Sequence, residues 1–171
     1  MIVNYKYLIP IIALLFFSGC GKKYDDGRNL TTKDGLIYKN NEAVPYTGKV
    51  KGKVGDKVIE YEVLKGKMNG DFVLHNKNGF VGMKGSIVNG KNEGVWRYYF
   101  PDGKIEAIGN FNNDCANSTW KWYFPNGTLK ESGNFSIGKK EGEWLSFNSN
   151  GSLFIKRNFK DNVQIDSTII K

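Results

Sequence analysis

The chain has 171 residues, of which 40% are hydrophobic, 14% aromatic and 25% charged. This composition is too apolar and too aromatic for a disordered chain, and one histidine and two cysteines leave few residues for metal binding or acid–base catalysis. The formal net charge is +8, and removing Lys6 with the first 19 residues leaves +7, from 24 basic and 17 acidic side chains. That charge favours anionic lipid headgroups or cell-wall polymers. The simpler interpretation is a solvated sheet edge, because the lysines are spread through turns.

The first 19 residues are predicted to be a lipoprotein signal peptide. Lys6 precedes a stretch of ten apolar or uncharged residues over 8–17, and two small residues come directly before Cys20, which resembles the bacterial lipoprotein box. Ten residues are too few to span a bilayer, for which about 20 are needed. The sequence therefore predicts a lipidated Cys20 and an anchor in the inner or outer membrane of a bacterial cell envelope. The alternative is an ordinary secreted protein in which Cys20 could pair with Cys115.

A polar segment follows the predicted lipidation site. Its sequence, "GKKYDDGRNLTTKDG", has no apolar periodicity. We therefore expect residues 20–35 to form a flexible tether between the lipidated cysteine and the rest of the chain.

The chain beyond the tether repeats itself with a period of 24 residues. "WRYYFPDG" begins at Trp96 and "WKWYFPNG" at Trp120, and the same step reaches Phe72 and Trp144. A glycine series keeps the same register: Gly79, Gly103, Gly127 and Gly151. Such a period indicates a repeat array, which we place at residues 36–160. Five units fit within roughly 46–160, and residues 161–171 remain as a C-terminal strand or tail.

Each unit is expected to form one β-hairpin. Glycines and Asn/Asp-Gly pairs recur too often for long helices, and the short runs between them are rich in aromatic and β-branched residues. The predicted fold is an all-β, elongated, single-layer antiparallel meander of repeated hairpins. A two-residue turn at Asp102 and Gly103 would place Trp96 opposite Gly109, with the indole ring over the glycine. The same register places Trp120 opposite Gly133.

The repeat unit resembles the MORN repeat, in the variant found in bacterial proteins. The similarity lies in "EGVWRYYFPDG" and "EGEWLSFNSNG", while "NSTWKWYFPNG" departs at Glu-Gly and "NGDFVLHNKNG" has Phe in place of Trp. This resemblance implies an elongated sheet that acts as a non-catalytic binding or scaffolding surface. Its runner-up implication is an antitoxin or immunity-type protein that neutralises a cognate toxin. An enzyme is a third class, which a single-layer sheet favours least.

The candidate functional residues are aromatic, with no catalytic, metal-binding or cofactor-binding set. His75 stands where other units have tyrosine or phenylalanine, so we interpret it as a strand residue. The candidate binding surface comprises Trp96, Tyr98, Trp120, Trp122, Tyr123 and Trp144, which are also candidates for the core. If the faces are inverted, the surface moves to Arg97, Tyr99, Lys121 and Tyr123. The expected partner is an envelope protein or polymer or a cognate toxin, and nucleic acid is disfavoured by the predicted compartment.

Overall fold

The computed structural model describes residues 25–170, which form fourteen β-strands and one short 3-10 helix at Gly27–Asn29, with no α-helix among them. The strands are β1 (Asp25–Asp26), β2 (Leu30–Lys33), β3 (Leu36–Lys39), β4 (Gly48–Val54), β5 (Lys57–Leu64), β6 (Lys67–His75), β7 (Val81–Val88), β8 (Lys91–Tyr99), β9 (Ile105–Asn112), β10 (Cys115–Tyr123), β11 (Leu129–Ser136), β12 (Lys139–Phe147), β13 (Leu153–Lys160) and β14 (Val163–Ile169). The predicted all-β class is confirmed. The predicted signal peptide over 1–19 and Cys20 lie outside the described residues.

Twelve of the strands form one sheet in the order β1-β4-β5-β6-β7-β8-β9-β10-β11-β12-β13-β14. From β4 onward every strand pairs antiparallel with its neighbour in sequence, whereas β1 pairs with β4 in parallel. Strands β2 and β3 form a separate hairpin. The predicted antiparallel meander of hairpins is therefore confirmed, and the sheet extends beyond the repeat array at both edges.

Residues 25–35 are structured rather than flexible. The Asp26 side chain accepts a hydrogen bond from the Arg28 amide at 3.0 Å, and Leu30 is only 6% exposed. Strand β1 adds to the sheet beside β4, so this segment closes the first edge of the sheet. The prediction of a flexible tether is wrong for residues 25–35, because one apolar side chain in a polar segment reaches the core. Residues 20–24 lie outside the described residues.

The loop within the hairpin β8–β9 is longer than predicted. The Phe100 amide donates to the Lys104 carbonyl at 2.8 Å and the Gly103 amide to the Phe100 carbonyl at 2.9 Å, so the loop comprises residues 101–103. Gly103 has φ +86°, which glycine adopts without strain. This three-residue loop shifts the strand pairing by one residue, and an extra residue in β9, Glu106, shifts it back. The predicted two-residue turn is therefore wrong.

The register that this turn was meant to produce is nevertheless present. Trp96 pairs with Gly109 and Trp120 pairs with Gly133. Two-residue turns occur instead between consecutive hairpins, as at Asn113 and Asp114, where both φ angles are positive. The bulge in β9 compensates for the longer loop, so the tryptophan and glycine series stay on one face of the sheet.

The core lies on that same face, which we call the core face. The core contains eighteen buried hydrophobic residues: Leu30, Tyr46, Val50, Ile59, Tyr61, Val63, Met68, Phe72, Leu74, Ile87, Trp96, Ala107, Phe111, Ala116, Trp120, Trp122, Phe135 and Trp144. Strands β8 and β12 carry bulges at Gly94 and Gly142, both with positive φ. Bulges bend a strand and increase its local twist, so β8 and β12 depart from a flat sheet at these glycines.

Candidate interaction surface

The predicted binding surface is largely core. Trp96, Trp120, Trp122 and Trp144 have exposed fractions of 2%, 1%, 8% and 1%. Each indole contacts aromatic rings on neighbouring strands. The expectation of a tryptophan-lined binding surface is therefore corrected, since these four rings are already buried within the chain.

Three of the four buried indoles, those of Trp96, Trp120 and Trp144, lie over a glycine of the preceding hairpin. A β-carbon built at Gly109 would overlap the Trp120 ring, so only glycine leaves room for it. The Trp120 Nε1 donates to the Asn110 carbonyl at 3.1 Å, and this satisfies the buried indole N–H. Trp96 and Trp144 repeat this arrangement one hairpin earlier and one hairpin later. The tryptophans therefore bind consecutive hairpins together.

The two tyrosines of the predicted surface lie on opposite faces. Tyr98 is in register with Trp96 on the core face, and burial raises its pKa. Tyr123, one residue after Trp122, is half-buried on the opposite side of the sheet, which we call the open face. Of the six predicted residues, Tyr123 is therefore the one that belongs to the open face.

The open face carries a row of basic side chains across neighbouring strands. Lys84 pairs with Arg97, Arg97 with Ile108, and Ile108 with Lys121, so these side chains point the same way. Lys84 and Lys121 are exposed and Arg97 is half-buried. Within residues 25–170, none of the three forms an ion pair with a carboxylate.

An ion pair lies beyond each end of this row. Towards the N-terminus, Lys51 Nζ lies 2.6 Å from Glu60 Oε1. Towards the C-terminus, Lys156 Nζ lies 2.6 Å from Glu143 Oε2. Among the described residues of this one row, the basic side chains without an acidic partner are therefore those on β7, β8 and β10.

A row of aromatic side chains runs beside the basic row. Tyr99 and Tyr123, each two residues after a basic residue of the row, are half-buried, and Lys84 Nζ lies 5.7 Å from the centre of the Tyr99 ring. Their alternation with the core residues places them on the open face. We call the set Lys84, Arg97, Tyr99, Lys121 and Tyr123 the basic–aromatic face. Composition shows the basic charge, but only the strand pairing shows that these residues are adjacent.

His75 begins the aromatic series to which Tyr99 and Tyr123 belong. Its Nδ1 lies 3.3 Å from the Gly79 carbonyl oxygen, and its Nε2 lies 3.6 Å from Glu60 Oε1. Among the described residues, no group of three or more His, Cys, Asp or Glu side chains is arranged to hold a metal ion. Cys115 is free and half-buried at the start of β10.

The recurring acidic and amide residues hold the turns. Glu93 Oε2 accepts from the Asn113 amide at 2.9 Å, which connects one turn between hairpins to the next. Asp102 Oδ1 accepts from the Lys104 amide at 3.1 Å within its own loop. Asn126 Nδ2 donates to the Ser149 carbonyl at 2.8 Å in the following hairpin loop. These hydrogen bonds stabilise the turns and loops on both sides of the array. They account for the recurrence of the residues without a ligand.

The core face ends in charged side chains. Lys140 Nζ lies 3.7 Å from the centre of the Trp144 ring, and Arg157 Nη1 donates to Ser146 Oγ at 3.0 Å. Burial lowers the pKa of Lys140, Glu131 opposes that shift, and Arg157 adds to it. Arg157 occupies the position at which earlier units have glycine. The last unit therefore has no seat for a further indole, and charged groups cover Trp144 instead.

Three stretches of the chain, 92–113, 117–136 and 140–161, match the sequence model of the MORN repeat variant family. They correspond to the hairpins β8–β9, β10–β11 and β12–β13. These three hairpins therefore carry the MORN-variant repeat. The two hairpins before them, β4–β5 and β6–β7, continue the same sheet outside the matched stretches.

No curated protein matches the chain. Among solved structures, one similar chain is a mutant of TarM from S. aureus in complex with fondaparinux, alpha-GlcNAc-glycerol and UDP. It is 14% identical, and the match covers 67% of this chain and 21% of that chain, with a TM-score of 0.32. This chain thus spans about a fifth of the TarM chain. Within residues 25–170, no helix is long and apolar enough to cross a membrane.

Proposed function

We propose that this protein is a non-catalytic binding module of a bacterial cell envelope, attached to a membrane through a lipidated Cys20. MORN repeats indicate a repeat-based binding or scaffolding module. The observation that carries the proposal is the division of the sheet into two faces. The core face is filled by the chain's own aromatic rings. The residues of the basic–aromatic face lie on the opposite side of the sheet, in the same register on successive hairpins.

A non-catalytic role fits the surroundings of the titratable side chains. Glu93 accepts a hydrogen bond from a turn amide and Asp102 from an amide of its own loop. Glu60 lies against Lys51 and His75. Each of these groups has a structural partner, and the recurrence of the acidic residues follows from the recurrence of the turns.

Affinity capture from envelope extracts tests the binding role. The full-length protein in a neutral maltoside detergent would be coupled to beads, beside a variant with Arg97→Glu and Lys121→Glu. We expect proteins or glycans that the parent retains and the variant loses. If the two capture the same material, the basic–aromatic face is not the binding surface, and if neither enriches anything over bare beads, the binding role is wrong.

The anchor is tested at the predicted lipidation site. We expect the parent to fractionate with membranes and to incorporate a fatty-acid label, and Cys20→Ser to lose both. Stable attachment needs more than one acyl chain, because a single chain binds membranes only marginally. Cys115→Ser is the matched control and should keep both properties. A Cys20→Ser variant that stays in the membrane fraction, with no label in the parent, would contradict the anchor and favour the secreted alternative.

The immunity-type alternative follows from the MORN resemblance alone. It predicts a toxin gene beside the gene for this protein and a tight complex between the two products. Inspection of the adjacent reading frames is therefore its test.

A further inference from the structure

We propose that the basic–aromatic face binds a linear acidic polysaccharide laid across strands β7–β10. This inference rests on the binding role proposed above and names the chemical class of its ligand. The surface that carries it is formed by Lys84, Arg97, Tyr99, Lys121 and Tyr123.

The charges of this surface are arranged in a line. Lys84, Arg97 and Lys121 occupy one cross-strand row on β7, β8 and β10, so the row extends over three strand spacings, or about 14 Å. A linear polymer with a carboxylate on each unit can lie along such a row and reach all three charges, which are one and two strand spacings apart. A membrane surface would instead contact a two-dimensional patch of basic residues, and here the row is bounded by the Lys51–Glu60 and Lys156–Glu143 ion pairs.

The row is able to attract an anion because its cations are not neutralised. Two carboxylates lie on the same strands, and both are at the ends of the strands. Glu93 accepts a hydrogen bond from the Asn113 amide, and Glu106 is the bulged residue beside the hairpin loop. A partner carboxylate would therefore gain charge-assisted hydrogen bonds without breaking an ion pair within residues 25–170.

The tyrosines favour a polymer of sugar rings over a polyanion without rings. Tyr99 and Tyr123 lie on strands two positions apart, which separates them by about 10 Å along the direction of the row. Both rings are half-buried and therefore held in place. Ordered aromatic rings beside a few charged groups are typical of ligand sites, and here they would contact the apolar faces of alternate sugar units.

The test measures capture of the full-length protein, in neutral maltoside detergent, by immobilised polygalacturonate, a linear polymer of galacturonic acid. We expect capture by this polymer, no capture by neutral dextran, and weaker capture as salt is raised. Arg97→Ala with Lys121→Ala should weaken capture by about tenfold or more. Lys33→Ala with Lys57→Ala changes the net charge equally, away from the row, and should leave capture within about twofold of the parent. Equal losses in both pairs would mean that net charge alone is measured, and would overturn the proposal.

The aromatic contribution has its own matched pair. Tyr99→Ala with Tyr123→Ala should reduce capture by polygalacturonate but not by polyphosphate, which has no rings, whereas Tyr99→Phe with Tyr123→Phe should retain it. Thermal melts of all variants would show that each is folded. Equal loss for both polymers, or tighter capture by polyphosphate, would overturn the proposal in favour of a polyanion site without ring recognition.

A lipid surface is the competing occupant. Mixed micelles of maltoside and phosphatidylglycerol should not displace the protein from polygalacturonate, and displacement at low lipid content would overturn the proposal in favour of a membrane surface. Absence of capture by polygalacturonate would also overturn it. In that case the binding role would still stand if the parent captures an envelope component that the Arg97→Glu and Lys121→Glu variant does not.

Discussion

The indole ring of Trp144 lies directly over the backbone of Gly133, and its Nε1 donates to the carbonyl oxygen of the next residue, Asn134, at 3.2 Å. Gly133 pairs with Trp120 on one side and with Trp144 on the other, but the ring above it belongs to Trp144. The contact therefore joins one hairpin to the next rather than the two strands of one hairpin. The stability of the array depends on these contacts between neighbouring units.

Replacing Gly133 with alanine should destabilise the protein, because the added methyl group would overlap the Trp144 ring. Overpacking of this kind costs about 1 to 3 kcal/mol in free energy of unfolding. Chemical denaturation would measure it. The matched control is Gly52→Ala, where the nearest atom, on Ile59, lies 3.9 Å from the new carbon, and we expect no loss there. A Gly133→Ala variant with the same free energy of unfolding as the parent would contradict the close contact between Gly133 and the Trp144 ring.

The side of the sheet is tested at the adjacent residue. Asn134 is exposed on the open face, so Asn134→Val should cost less than Gly133→Val in thermal melts. A larger loss of thermal stability for Asn134→Val than for Gly133→Val would show that the two faces are assigned the wrong way round.

Truncating Trp120 should be among the most damaging single changes in the array. The residue is 1% exposed, forms edge contacts with Phe111 and Phe135, and stacks on Trp122 at 5.8 Å. Trp120→Ala should cost about 3 to 5 kcal/mol in free energy of unfolding. Phe80, which is 55% exposed, provides the control, and Phe80→Ala should change stability by less than about 0.5 kcal/mol. Similar denaturation midpoints for the two variants would exclude a core role for Trp120.

The sequence predicted the partnership of tryptophan and glycine, because both series share one period and a strand alternates strictly between its faces. It could not predict which indole covers Gly133, since that glycine has a tryptophan on either side at equivalent positions. The direction in which a ring leans across the strands depends on packing. The predicted position of the Trp120 ring over Gly133 is therefore wrong, because that ring lies over Gly109.

The candidate site was only partly predictable for a related reason. An aromatic residue in a repeat can serve the core or the open face, and the choice depends on one residue of register. The hairpin loop of residues 101–103 is one residue longer than predicted, and the bulge at Glu106 cancels that difference. Loop and bulge together keep Trp96 in the core and leave Arg97 and Tyr99 on the open face. The bulge has no clear sequence signal.

Replacing Ile137 with asparagine should stabilise the protein. Ile137 has φ +48° in the turn between β11 and β12, although it is β-branched, and it is 78% exposed, so little burial would be lost. The equivalent turn between β9 and β10 has Asn113 with the same φ. Asparagine tolerates this conformation, and relief of the strain should raise the free energy of unfolding by about 1 kcal/mol. Ile137→Val keeps the branched carbon and should bring no gain, and Asn113→Ile should produce a loss.

The charged end of the core face makes a prediction about pH. Burial holds the pKa of Lys140 below its ordinary value of 10.5 in the folded chain, and the positive charge of Arg157 lowers it further. Between the folded pKa and 10.5, the unfolded chain binds more protons than the folded chain, so the contribution of Lys140 to stability rises with pH across that window. Below the folded pKa the desolvated charge remains a cost, partly offset by its contact with the Trp144 ring.

Two neighbouring residues allow this explanation to be tested in opposite directions. Arg157→Gln should raise the pKa of Lys140, because a nearby positive charge is removed, and Glu131→Gln should lower it, because a nearby negative charge is removed. NMR titration of the Lys140 side chain in the parent and in both variants measures these shifts directly. A parent pKa at or above 10.5 would contradict the burial of the ammonium group. Shifts of the same sign in the two variants would show that they rearrange the end of the sheet instead of changing its electrostatic field.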